Sequence, residues 1–493
     1  MPEAPCPIVR RFLALARRHG EAPALIGPDG EVIATRATLA AGIEAQRAAY
    51  AARIRPGATV VLALPNGISF VRAFAALRLL PARVALVDAA APADEIERSA
   101  AAVGAGWIVA APERLAGDGI ALADQGCAVA ARQDAEPAPM PASTALLKLT
   151  SGSTGMARAV AVGALHLAAD TAQIMRTMGF GPGDVTAAAI PLSHSYGIGN
   201  CLVPLLLAGT PLAFPTCALP AALAHTLAAA RVTHFPAVPA MVRTLATLGD
   251  LPDLPALRVC LAAGAPLAPR DARAFFDATG HKVHVFYGCS ECGGIAFDRG
   301  DEPAHREGAV GTAMDGVRLQ VVDDELRPLP EGAAGRVVVL SRAVALAELP
   351  PAREPGILGP GRFLSGDLGV LDGEGRLTLT GRVGEYLNVA GKKVHPEEVR
   401  RVIEGIPGVE SAVVAGLPDP HRGQLVAAVV VAERGAPLTV HGVLAGCRAR
   451  LAPHKVPRRV VIVDELPTSE RGKVRKDVVM RLLEGSGRSH TGG

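Results

Sequence analysis

The sequence predicts an α/β protein in which a large N-terminal domain of helix-flanked, parallel-rich sheets, with a β-rich subdomain, precedes a small α+β C-terminal domain. At 493 residues the chain is too long for a single hydrophobic core, since one domain usually has about 100–200 residues. Apolar strand-like runs alternate with helical segments, and this order indicates parallel strands joined by crossover helices. Towards the C-terminus the strand-like runs become shorter and are separated by turn residues. These observations favour layered sheets and helices followed by a separate small unit.

The first part of the chain shows the alternation most clearly. Thr59–Leu64 is a continuous apolar run that ends at Pro65-Asn66-Gly67, which is the pattern of a buried strand followed by a turn. The segments around it have either helical spacing or further short apolar runs. The predicted helices are Ile8–Arg18, Leu39–Ile54 and Phe70–Leu80, and the predicted strands are Thr59–Leu64, Val84–Val87, Val259–Leu261 and Val283–Phe286.

Shorter strands near Val317–Val322, Gly335–Leu340 and Leu377–Thr380 predict the β-rich subdomain. The predicted domains are residues 1–383 and 384–493. The second of these carries a net charge of +5 and the first carries −2, which indicates that the small domain meets an anionic ligand. Its predicted elements are helices at Glu397–Ile406 and Val440–Leu451, strands at Val409–Gly416, Leu425–Val431 and Val460–Val463, and a basic helix at the end.

Composition excludes two classes of partner. The chain has 50 Lys and Arg against 47 Asp and Glu, a formal charge of +3, and only 3% aromatic residues, so no nucleic-acid partner is expected. Residues 185–230 contain no charged side chain, but five prolines interrupt them, which favours short buried elements over a membrane span.

The N-terminal segment has Glu3 and several arginines among its apolar positions, unlike a secretory signal. A cytoplasmic protein is therefore expected.

Eight cysteines are scattered through apolar sequence, which indicates reduced, buried thiols. One pair, Cys289 and Cys292, has the C-x-x-C spacing found in redox and zinc sites. No second pair and no matching histidine spacing accompanies it in the sequence. We interpret these two cysteines as small residues in a crowded turn.

A loop rich in Gly, Ser and Thr follows an apolar strand. Ala145–Leu149 runs into Thr150–Gly155, which reads Thr-Ser-Gly-Ser-Thr-Gly. Backbone N–H groups and hydroxyls in such a loop suit phosphate oxygens, and glycines let the backbone approach closely. The loop lacks the G-x-x-x-x-G-K-[ST] pattern, so a Walker-type NTPase is not supported, and a simple turn is the alternative.

This loop is one of a series of motifs whose order resembles the adenylate-forming superfamily of acyl-CoA synthetases, adenylation domains and luciferases. The resemblance covers nearly the whole chain. It implies two half-reactions, in which a carboxylate and ATP form an acyl adenylate that is then transferred to a thiol, and a mobile small domain that rotates between them. The motifs are Pro28–Gly30, Leu64–Gly67, Thr150–Arg158, Pro191–Gly197, Ala263–Leu267, Phe286–Glu291, Leu364–Asp367, Gly381–Arg382, Gly391–Glu398 and Leu466–Arg475.

The resemblance implies that Lys473, Glu291, His194 and Arg382 are catalytic. Lys473 would bridge the attacking carboxylate oxygen and the α-phosphate and stabilise charge in the transition state. His194 would lie beside the carboxylate pocket, with a buried core histidine as the alternative. Arg382 would lie near ribose or phosphate, where a fixed cation fits. Thr154 and Glu291 would hold Mg²⁺, which neutralises phosphate oxygens.

The implied cofactors are ATP, Mg²⁺ and CoA, or the phosphopantetheine of a carrier protein in place of CoA. Asp367 is suited to accept hydrogen bonds from both ribose hydroxyls, and Tyr287 to stack on adenine. Gly391 and Lys393 would lie near the pantetheine path. The implied cofactor-binding residues are Thr150, Ser151, Gly152, Ser153, Thr154, Gly155, Arg158, Gly264, Ala265, Pro266, Tyr287, Gly288, Ser290, Asp367, Arg382, Gly391 and Lys393.

The chain departs from the family pattern at four places. Ala157-Arg158-Ala159 replaces the usual Pro-Lys-Gly, and arginine keeps the charge without the compact ammonium geometry. Gly335-Arg336 replaces Gly-Glu, Gly384 stands where the hinge is usually acidic, and Asn388 replaces a lysine. The altered loop supports a non-catalytic nucleotide-binding homologue as an alternative. The retained metal, ribose and lysine positions favour an active enzyme.

The expected partner is a small carboxylic acid substrate. The acid-binding pocket is predicted to have small or apolar side chains, which favours an uncharged aromatic or aliphatic acid and does not distinguish a benzoate-sized acid from a longer one. A Phe-Asp-x-Ser segment, typical of amino-acid adenylation domains, is absent between Gly197 and Val238. The acceptor is either CoA or a separate acyl or peptidyl carrier protein, and a basic small domain suits both. The predicted lining segments are Ser193–Tyr196, Phe235–Pro239, Leu261–Gly264 and Gly288–Ala296.

Overall fold

The structure is a computed structural model that describes residues 6–115, 120–122, 126–132, 138–151, 157–351, 356–383, 387–389, 392–394, 396–419, 423–468 and 474–485. The chain forms two compact units. The first unit contains Met1–Gln320, Val338–Ser365 and Leu371–Thr378. The second unit contains Val321–Val337, Gly366–Val370 and Leu379–Gly493.

Thirteen α-helices lie in the described ranges. They are α1 (Pro7–Arg18), α2 (Arg36–Ala51), α3 (Ile68–Leu79), α4 (Ala93–Ala102), α5 (Ala164–Met178), α6 (Ser195–Gly197), α7 (Val203–Ala208), α8 (Pro220–Ala229), α9 (Pro239–Ala246), α10 (Pro269–Thr279), α11 (Pro396–Glu404), α12 (Val440–Arg450) and α13 (Lys476–Gly485). A proline lies in the first turn of α1, α7, α8, α9 and α10. Proline suits this position because the N–H that it lacks has no partner inside the helix.

The strands of the described ranges number 27. They are β1 (Pro23–Ile26), β2 (Val32–Thr35), β3 (Thr59–Ala63), β4 (Arg83–Leu86), β5 (Trp107–Ala110), β6 (Ile120–Leu122), β7 (Cys127–Ala131), β8 (Thr144–Ser151), β9 (Ala157–Gly163), β10 (Thr186–Ala187), β11 (Leu212–Ala213), β12 (His234–Ala237), β13 (Val259–Ala262), β14 (Val283–Cys289), β15 (Gly293–Phe297), β16 (Ala309–Ala313), β17 (Arg318–Val322), β18 (Ala334–Leu340), β19 (Ala347–Leu349), β20 (Ile357–Gly359), β21 (Arg362–Leu371), β22 (Arg376–Arg382), β23 (Leu387–Val389), β24 (Lys392–Val394), β25 (Val409–Asp419), β26 (Gly423–Ala432) and β27 (Arg459–Val463).

One sheet of the first unit has the strand order β19-β9-β8-β4-β3-β5-β7-β6. Its centre is parallel, since β3 pairs with β4 and β5, and β4 pairs with β8. Every residue of β3 is buried, as expected for a strand covered on both faces. The predicted parallel pairing holds for these four strands, whereas β8 and β9 are antiparallel. Only five residues connect β8 to β9, too few for a crossover.

A second sheet of the first unit has the order β16-β15-β14-β13-β12-β10-β11-β1-β2. The strands from β14 to β1 are parallel to their neighbours, and β15, β16 and β2 are antiparallel. The carboxyl ends of β12, β13 and β14 therefore lie at one edge, where parallel sheets usually bind ligands. Helix α5 packs against β8, β9 and β15. Strands β17, β18, β21 and β22 run side by side in this order and correspond to the predicted β-rich subdomain.

The second unit contains a mixed sheet with helices beside it. Strands β24, β23, β26 and β25 lie in this order, and β27 pairs with β26 in parallel. Val399, Ile403 and Val443 of α11 and α12 are buried in one apolar cluster. Val479 and Leu483 of α13 are buried in another. The predicted α+β organisation of this part is confirmed.

The uncharged segment 185–230 forms β10, α6, a π-helical turn at Ile198–Leu202, α7, β11 and α8. Helix α7 ends at Gly209, whose φ of +78° is the left-handed conformation that glycine favours at a helix end. The expectation of short buried elements is confirmed. Within the described ranges, none of the helices has both the length and the apolar character that crossing a bilayer requires.

Candidate active site

One tyrosine ties the Pro191–Gly197 segment to the carboxyl ends of β12 and β13. The hydroxyl of Tyr196 donates to the carbonyl oxygens of Ala237 (3.1 Å) and Leu261 (3.4 Å). Its ring centroid lies 5.7 Å from that of Phe286. Burial raises the pKa of Tyr196 well above its ordinary value, so the hydroxyl stays protonated and remains a donor. Three of the segments predicted to line the acid pocket therefore meet here.

His194 immediately precedes α6 on the same segment. Its backbone N–H donates to the carbonyl of Pro191 (3.2 Å), and the N–H of Ile198 donates to the carbonyl of His194 (2.8 Å). A Cβ at Gly197 would lie 2.2 Å from the carbonyl oxygen of Pro191, so this tight path requires glycine. The main chain at His194 is thus fixed, and the side chain is half-buried. Its role beside the substrate carboxylate stays a prediction.

The Phe286–Glu291 motif lies on the hairpin formed by β14 and β15. Tyr287 and Ser290 are half-buried and Gly288 is exposed. A Cβ at Gly288 would lie 2.6 Å from the carbonyl oxygen of Gly293, so glycine permits this close approach of the two strands. The hydroxyl oxygens of Ser290 and Ser195 are 3.0 Å apart and share a hydrogen bond. This bond joins the hairpin to the segment that carries His194.

Two buried charged residues contact the Ser290–Gly294 segment, which comprises the hairpin turn and the start of β15. Lys148, on β8, is 6% exposed, and its Nζ donates to the carbonyl of Ser290 (3.2 Å). Asp170, on α5, is 5% exposed, and its Oδ1 accepts from the N–H of Gly294 (2.9 Å). Burial raises the pKa of Asp170, and the charge of Lys148 and the hydrogen bond from Gly294 oppose that rise.

Glu291 has a second carboxylate in its electrostatic environment. Burial raises the pKa of Glu348 on β19, and the hydrogen bond from the N–H of Gly356 (3.3 Å) opposes this. The negative charge of Glu291 raises the same pKa further, and the positive charge of Arg158 lowers it. Glu348 therefore interacts electrostatically with both Glu291 and Arg158. Arg158 lies on β9, the strand that follows the predicted phosphate loop.

These carboxylates are of the kind that binds Mg²⁺. Proteins usually hold Mg²⁺ by one or two carboxylates together with substrate phosphates. In the part of the chain that the structure describes, no group of three or more His, Cys, Asp or Glu converges as a self-contained metal site. Glu291, with Glu348 nearby, fits a Mg²⁺ ion shared with nucleotide phosphates. Thr154, the other implied ligand, lies outside the described residues.

The thiols of Cys289 and Cys292 are 3.3 Å apart at the two sides of the hairpin turn. All eight cysteines are free. The hydrogen bond with Cys292, together with burial, raises the pKa of Cys289, so the thiol stays protonated. The interpretation of the pair as small residues in a crowded turn stays a prediction.

The segment implied to face adenine follows β13. Gly264, Ala265 and Pro266 are all exposed. Gly264 has a φ of +87°, in the left-handed region that favours glycine. The chain therefore turns outward at the carboxyl end of β13, where parallel sheets usually bind ligands.

In the second unit, Asp367 on β21 and Arg382 on β22 form an ion pair. Arg382 Nε lies 2.7 Å from Asp367 Oδ1, and the two side chains are 61% and 16% exposed. The N–H of Val383 donates to the carbonyl of Gly366 (2.7 Å), which fixes the backbone beside the pair. Two residues that the sequence analysis assigned to nucleotide binding are therefore in direct contact.

Several predicted site residues are described only in part or not at all. Thr150 and Ser151 pair through the backbone with β9, and Lys393 pairs with β23; their side chains are outside the described atoms. The roles of these residues, and the domain boundary after residue 383, stay predictions. Those outside the described ranges are Gly152, Ser153, Thr154, Gly155, Gly384, Glu385, Gly391 and Lys473.

The sequence analysis missed three charged residues next to the predicted motifs. Lys148 had a visible signal, because a lysine stands in an otherwise apolar strand, Ala145–Leu149. Asp170 is a single acidic residue among apolar and polar neighbours in α5, and Glu348 lies on a short strand without a motif. Neither of these two has a local signal that distinguishes it from a surface carboxylate.

Comparison with known proteins places this arrangement in a family. The profile of the AMP-binding enzyme family matches residues 12–347, and that of the AMP-binding enzyme C-terminal domain matches residues 398–473. A feruloyl-CoA synthase from Amycolatopsis is 28% identical over 443 residues, which cover 87% of this chain and 90% of the relative.

Two solved structures share the fold over nearly their whole length. ATP-bound MatB from Rhodopseudomonas palustris has a TM-score of 0.81 at 23% identity and covers 97% of this chain and 99% of that one. The amide bond synthetase McbA from Marinactinospora thermotolerans has a TM-score of 0.80 at 27% identity and covers 96% and 98%. The chain therefore belongs to the AMP-binding enzyme family, and it is an AMP-forming acid–thiol ligase.

Proposed function

We propose that the protein activates a small, uncharged aromatic or aliphatic carboxylic acid with ATP and transfers the acyl group from the resulting adenylate to CoA. The observation that carries this proposal is the convergence built by Tyr196 and by the hydrogen bond between Ser195 and Ser290. These contacts bring the His194 segment, the carboxyl ends of two parallel strands and the Glu291 hairpin together. In this proposal they form the site where carboxylate and ATP meet.

The first half-reaction joins two anions, so it needs positive charge and oriented donors. Arg158 is an exposed cation in the electrostatic environment of Glu291 and Glu348 and is suited to the phosphates. Mg²⁺ bound by Glu291 would neutralise phosphate oxygens. Asp367 would accept the ribose hydroxyls, and Lys473 would stabilise the charge that develops between the carboxylate oxygen and the α-phosphate.

The proposed class of carboxylic acid is inferred from the side chains where the Tyr196 segment meets β12, β13 and the β14–β15 hairpin. Ala237 and Ala262, at the ends of β12 and β13, are small and buried, and Cys289 carries a protonated thiol. Small neutral groups leave room for an apolar acyl group and offer no counter-charge to a second carboxylate. An uncharged acyl group is therefore proposed.

The acceptor is proposed to be CoA because the family contains CoA ligases, one of which is the feruloyl-CoA synthase relative. A separate carrier protein is the second candidate, since residues 384–493 carry a net charge of +5 that would also attract an acidic protein. An amine is included in the test only as a control acceptor, because the similar structure of McbA belongs to an amide bond synthetase.

The test is a product analysis with defined acids. The enzyme is incubated with ATP, Mg²⁺ and benzoate, ferulate, octanoate or succinate, and nucleotides and pyrophosphate are quantified. We expect AMP and pyrophosphate with at least one of the three monocarboxylates and much less with succinate. CoA, a phosphopantetheinylated carrier protein and an amine are then supplied separately, and acyl products are identified by mass spectrometry. ADP as the stoichiometric product, or no turnover with any acid, would refute the proposal.

A further inference from the structure

The Ser290–Gly294 segment is held at its two ends by side chains from two other elements. At the first end, the ammonium group of Lys148 donates to the carbonyl of Ser290. At the other end, the carboxylate of Asp170 accepts from the N–H of Gly294. The segment carries Ser290, which the sequence analysis places among the implied cofactor-binding residues, and Glu291, which the proposed function assigns to Mg²⁺.

Asp170 is enclosed by backbone on two sides. A Cβ at Gly293 would lie 2.2 Å from Asp170 Oδ1, and a Cβ at Gly199 would lie 3.2 Å from Asp170 Oδ2. Gly293 also has a φ of +69°, which other residues adopt only with strain. The carboxylate therefore packs between the start of β15 and the π-helical turn that follows the His194 segment.

Stability alone does not explain two buried charges in these positions. Taking charges out of water is costly, and apolar residues of similar volume in place of buried charges are often as stabilising or more so. Hydrogen bonds from or to a charged group are, however, shorter and stronger than neutral ones. A charged donor at one end and a charged acceptor at the other therefore fix the position of a backbone segment more firmly than apolar packing does.

We propose that Lys148 and Asp170 are positioning residues for the adenylation half-reaction and that they hold the Ser290–Gly294 segment so that Ser290 and Glu291 face the nucleotide phosphates. This inference rests on the proposed function. It assigns Lys148 and Asp170 no contact with substrate. Their effect acts through the backbone of the segment.

The experiment uses four variants of the full chain and one matched control. Lys148→Met removes the donor to Ser290, and Asp170→Ala removes the acceptor for Gly294. Asp170→Asn keeps an acceptor oxygen without the charge, and Lys148→Met/Asp170→Asn makes the site neutral. Thr171→Val is the control, because Thr171 is buried on the same helix and its hydroxyl has no hydrogen-bond partner within the described part of the chain.

Four quantities and the deuterium uptake of the segment are measured for each protein. The four quantities are pyrophosphate release with benzoate, ferulate and octanoate, thioester formation from the chemically prepared acyl adenylates of these acids, affinity for ATP with Mg²⁺ by calorimetry, and the thermal midpoint. Deuterium uptake across residues 288–297 reports directly on the segment.

We expect Lys148→Met and Asp170→Ala to slow adenylation 10- to 100-fold, which corresponds to about 1.4–2.7 kcal/mol, and to weaken ATP binding in the presence of Mg²⁺. Thioester formation from supplied adenylate should change less than about threefold, since positioning of Ser290 and Glu291 is needed for only one transition state. Deuterium uptake across the segment should rise. Asp170→Asn should retain most of the adenylation rate, and Thr171→Val should behave as wild type.

The double variant separates positioning from stability. Neutralising both residues should restore the thermal midpoint lost by a single charge removal, while adenylation stays slow because Ser290 still lacks its donor. Recovery of adenylation together with the midpoint would overturn the inference, as would equal losses in both half-reactions. If the wild-type protein releases no pyrophosphate with any acid, the proposed function fails. Deuterium uptake and ATP binding would then still decide whether Lys148 and Asp170 hold the segment.

Discussion

The Lys148 and Asp170 region of the first unit and the Asp367 and Arg382 region of the second unit use charge in opposite ways. Lys148 and Asp170 are almost fully buried and contact backbone groups. Arg382 is 61% exposed and pairs directly with a carboxylate. Asp367 is only 16% exposed, but its partner Arg382 is largely solvated, and solvent weakens the attraction between such charges. Buried charges lose much more when a partner is removed. The buried charges of the first region are therefore held in fixed positions, whereas Arg382 in the second region has more freedom to move.

The largest effect is expected from Lys473→Ala, which tests the second unit's assigned role directly. Removing a charge that acts only in the adenylation transition state should slow adenylation about 100- to 1,000-fold, while thioester formation from supplied adenylate changes little. Pyrophosphate release and single-turnover thioester formation measure the two steps. Arg481→Ala, which removes an exposed positive charge from α13, is the control for a general loss of charge. Equal losses in the two steps would contradict a role confined to adenylation.

The next effect concerns the exposed pair. Asp367→Asn should raise the KM for ATP about 10- to 100-fold, because hydrogen bonds to a charged acceptor contribute about 1.5–3 kcal/mol. Substrate saturation curves for pyrophosphate release give this value. Asp372→Asn changes a nearby carboxylate that pairs only locally, with Arg376, and should leave the KM unchanged. An unaltered KM in Asp367→Asn would remove the assigned contact with ribose.

The sequence predicted the exposed region better than the buried one, and the reason is physical. Asp367 and Arg382 belong to short motifs, so their neighbours along the chain identified them. Lys148 and Asp170 lie on a strand and a helix that are separated in sequence, and only the packing of α5 against β8 and β15 brings them to one segment. Glu348 reaches Arg158 and Glu291 in the same way, through the pairing of β19 with β9.

The helices and strands themselves were predictable where the apolar residues follow one clear spacing, either that of a helix or that of a buried strand. The apolar run at Thr59–Leu64 appears as β3, and the helical spacing at Ile8–Arg18 appears in α1. The sequence analysis predicted no strand at Ala157–Gly163, so it did not anticipate the antiparallel pairing of β8 with β9, although the five residues between them are too few for a crossover. Loop length, rather than strand composition, carried that information.

Burial in the first unit also predicts sensitivity to acid. His234, on β12, is fully buried, and burial lowers its pKa to about 3. In the unfolded chain this histidine binds a proton near pH 6.5. Above that pH it is neutral in both states, so it causes no loss of folding stability there. As the pH falls from about 6.5 towards 3, stability should decrease by about 1.4 kcal/mol per pH unit.

Urea unfolding at pH 7.5, 6.5 and 5.5 measures this dependence, with fluorescence of Trp107 as the probe, since this single tryptophan lies in the first unit. His234→Phe should give a shallower dependence of the free energy of unfolding on pH, whatever its stability at pH 7.5. The aromatic ring keeps the stacking with Phe180, whose centroid is 4.0 Å away. Parallel pH profiles for the two proteins would show that His234 is not the group responsible.

The smallest expected effect tests whether the convergence in the first unit depends on a single neutral hydrogen bond. The hydroxyl groups of Ser195 and Ser290 form the hydrogen bond that joins the His194 segment to the hairpin turn. The variants Ser195→Ala, Ser290→Ala and the double variant therefore form a double-mutant cycle. A neutral hydrogen bond contributes about 0.5–1.5 kcal/mol, which predicts a two- to tenfold loss of adenylation in Ser195→Ala and at least as large a loss in Ser290→Ala, which also removes a hydroxyl assigned to the nucleotide site. The double variant should lose no more than Ser290→Ala, because Ser195→Ala then removes nothing further. Thr226→Val, which removes a hydroxyl bonded only within its own helix, controls for the loss of a partly buried hydroxyl. Additive losses in the double variant would mean that the two serines act separately, and the hairpin would then owe its position to Lys148 and Asp170 rather than to this bond.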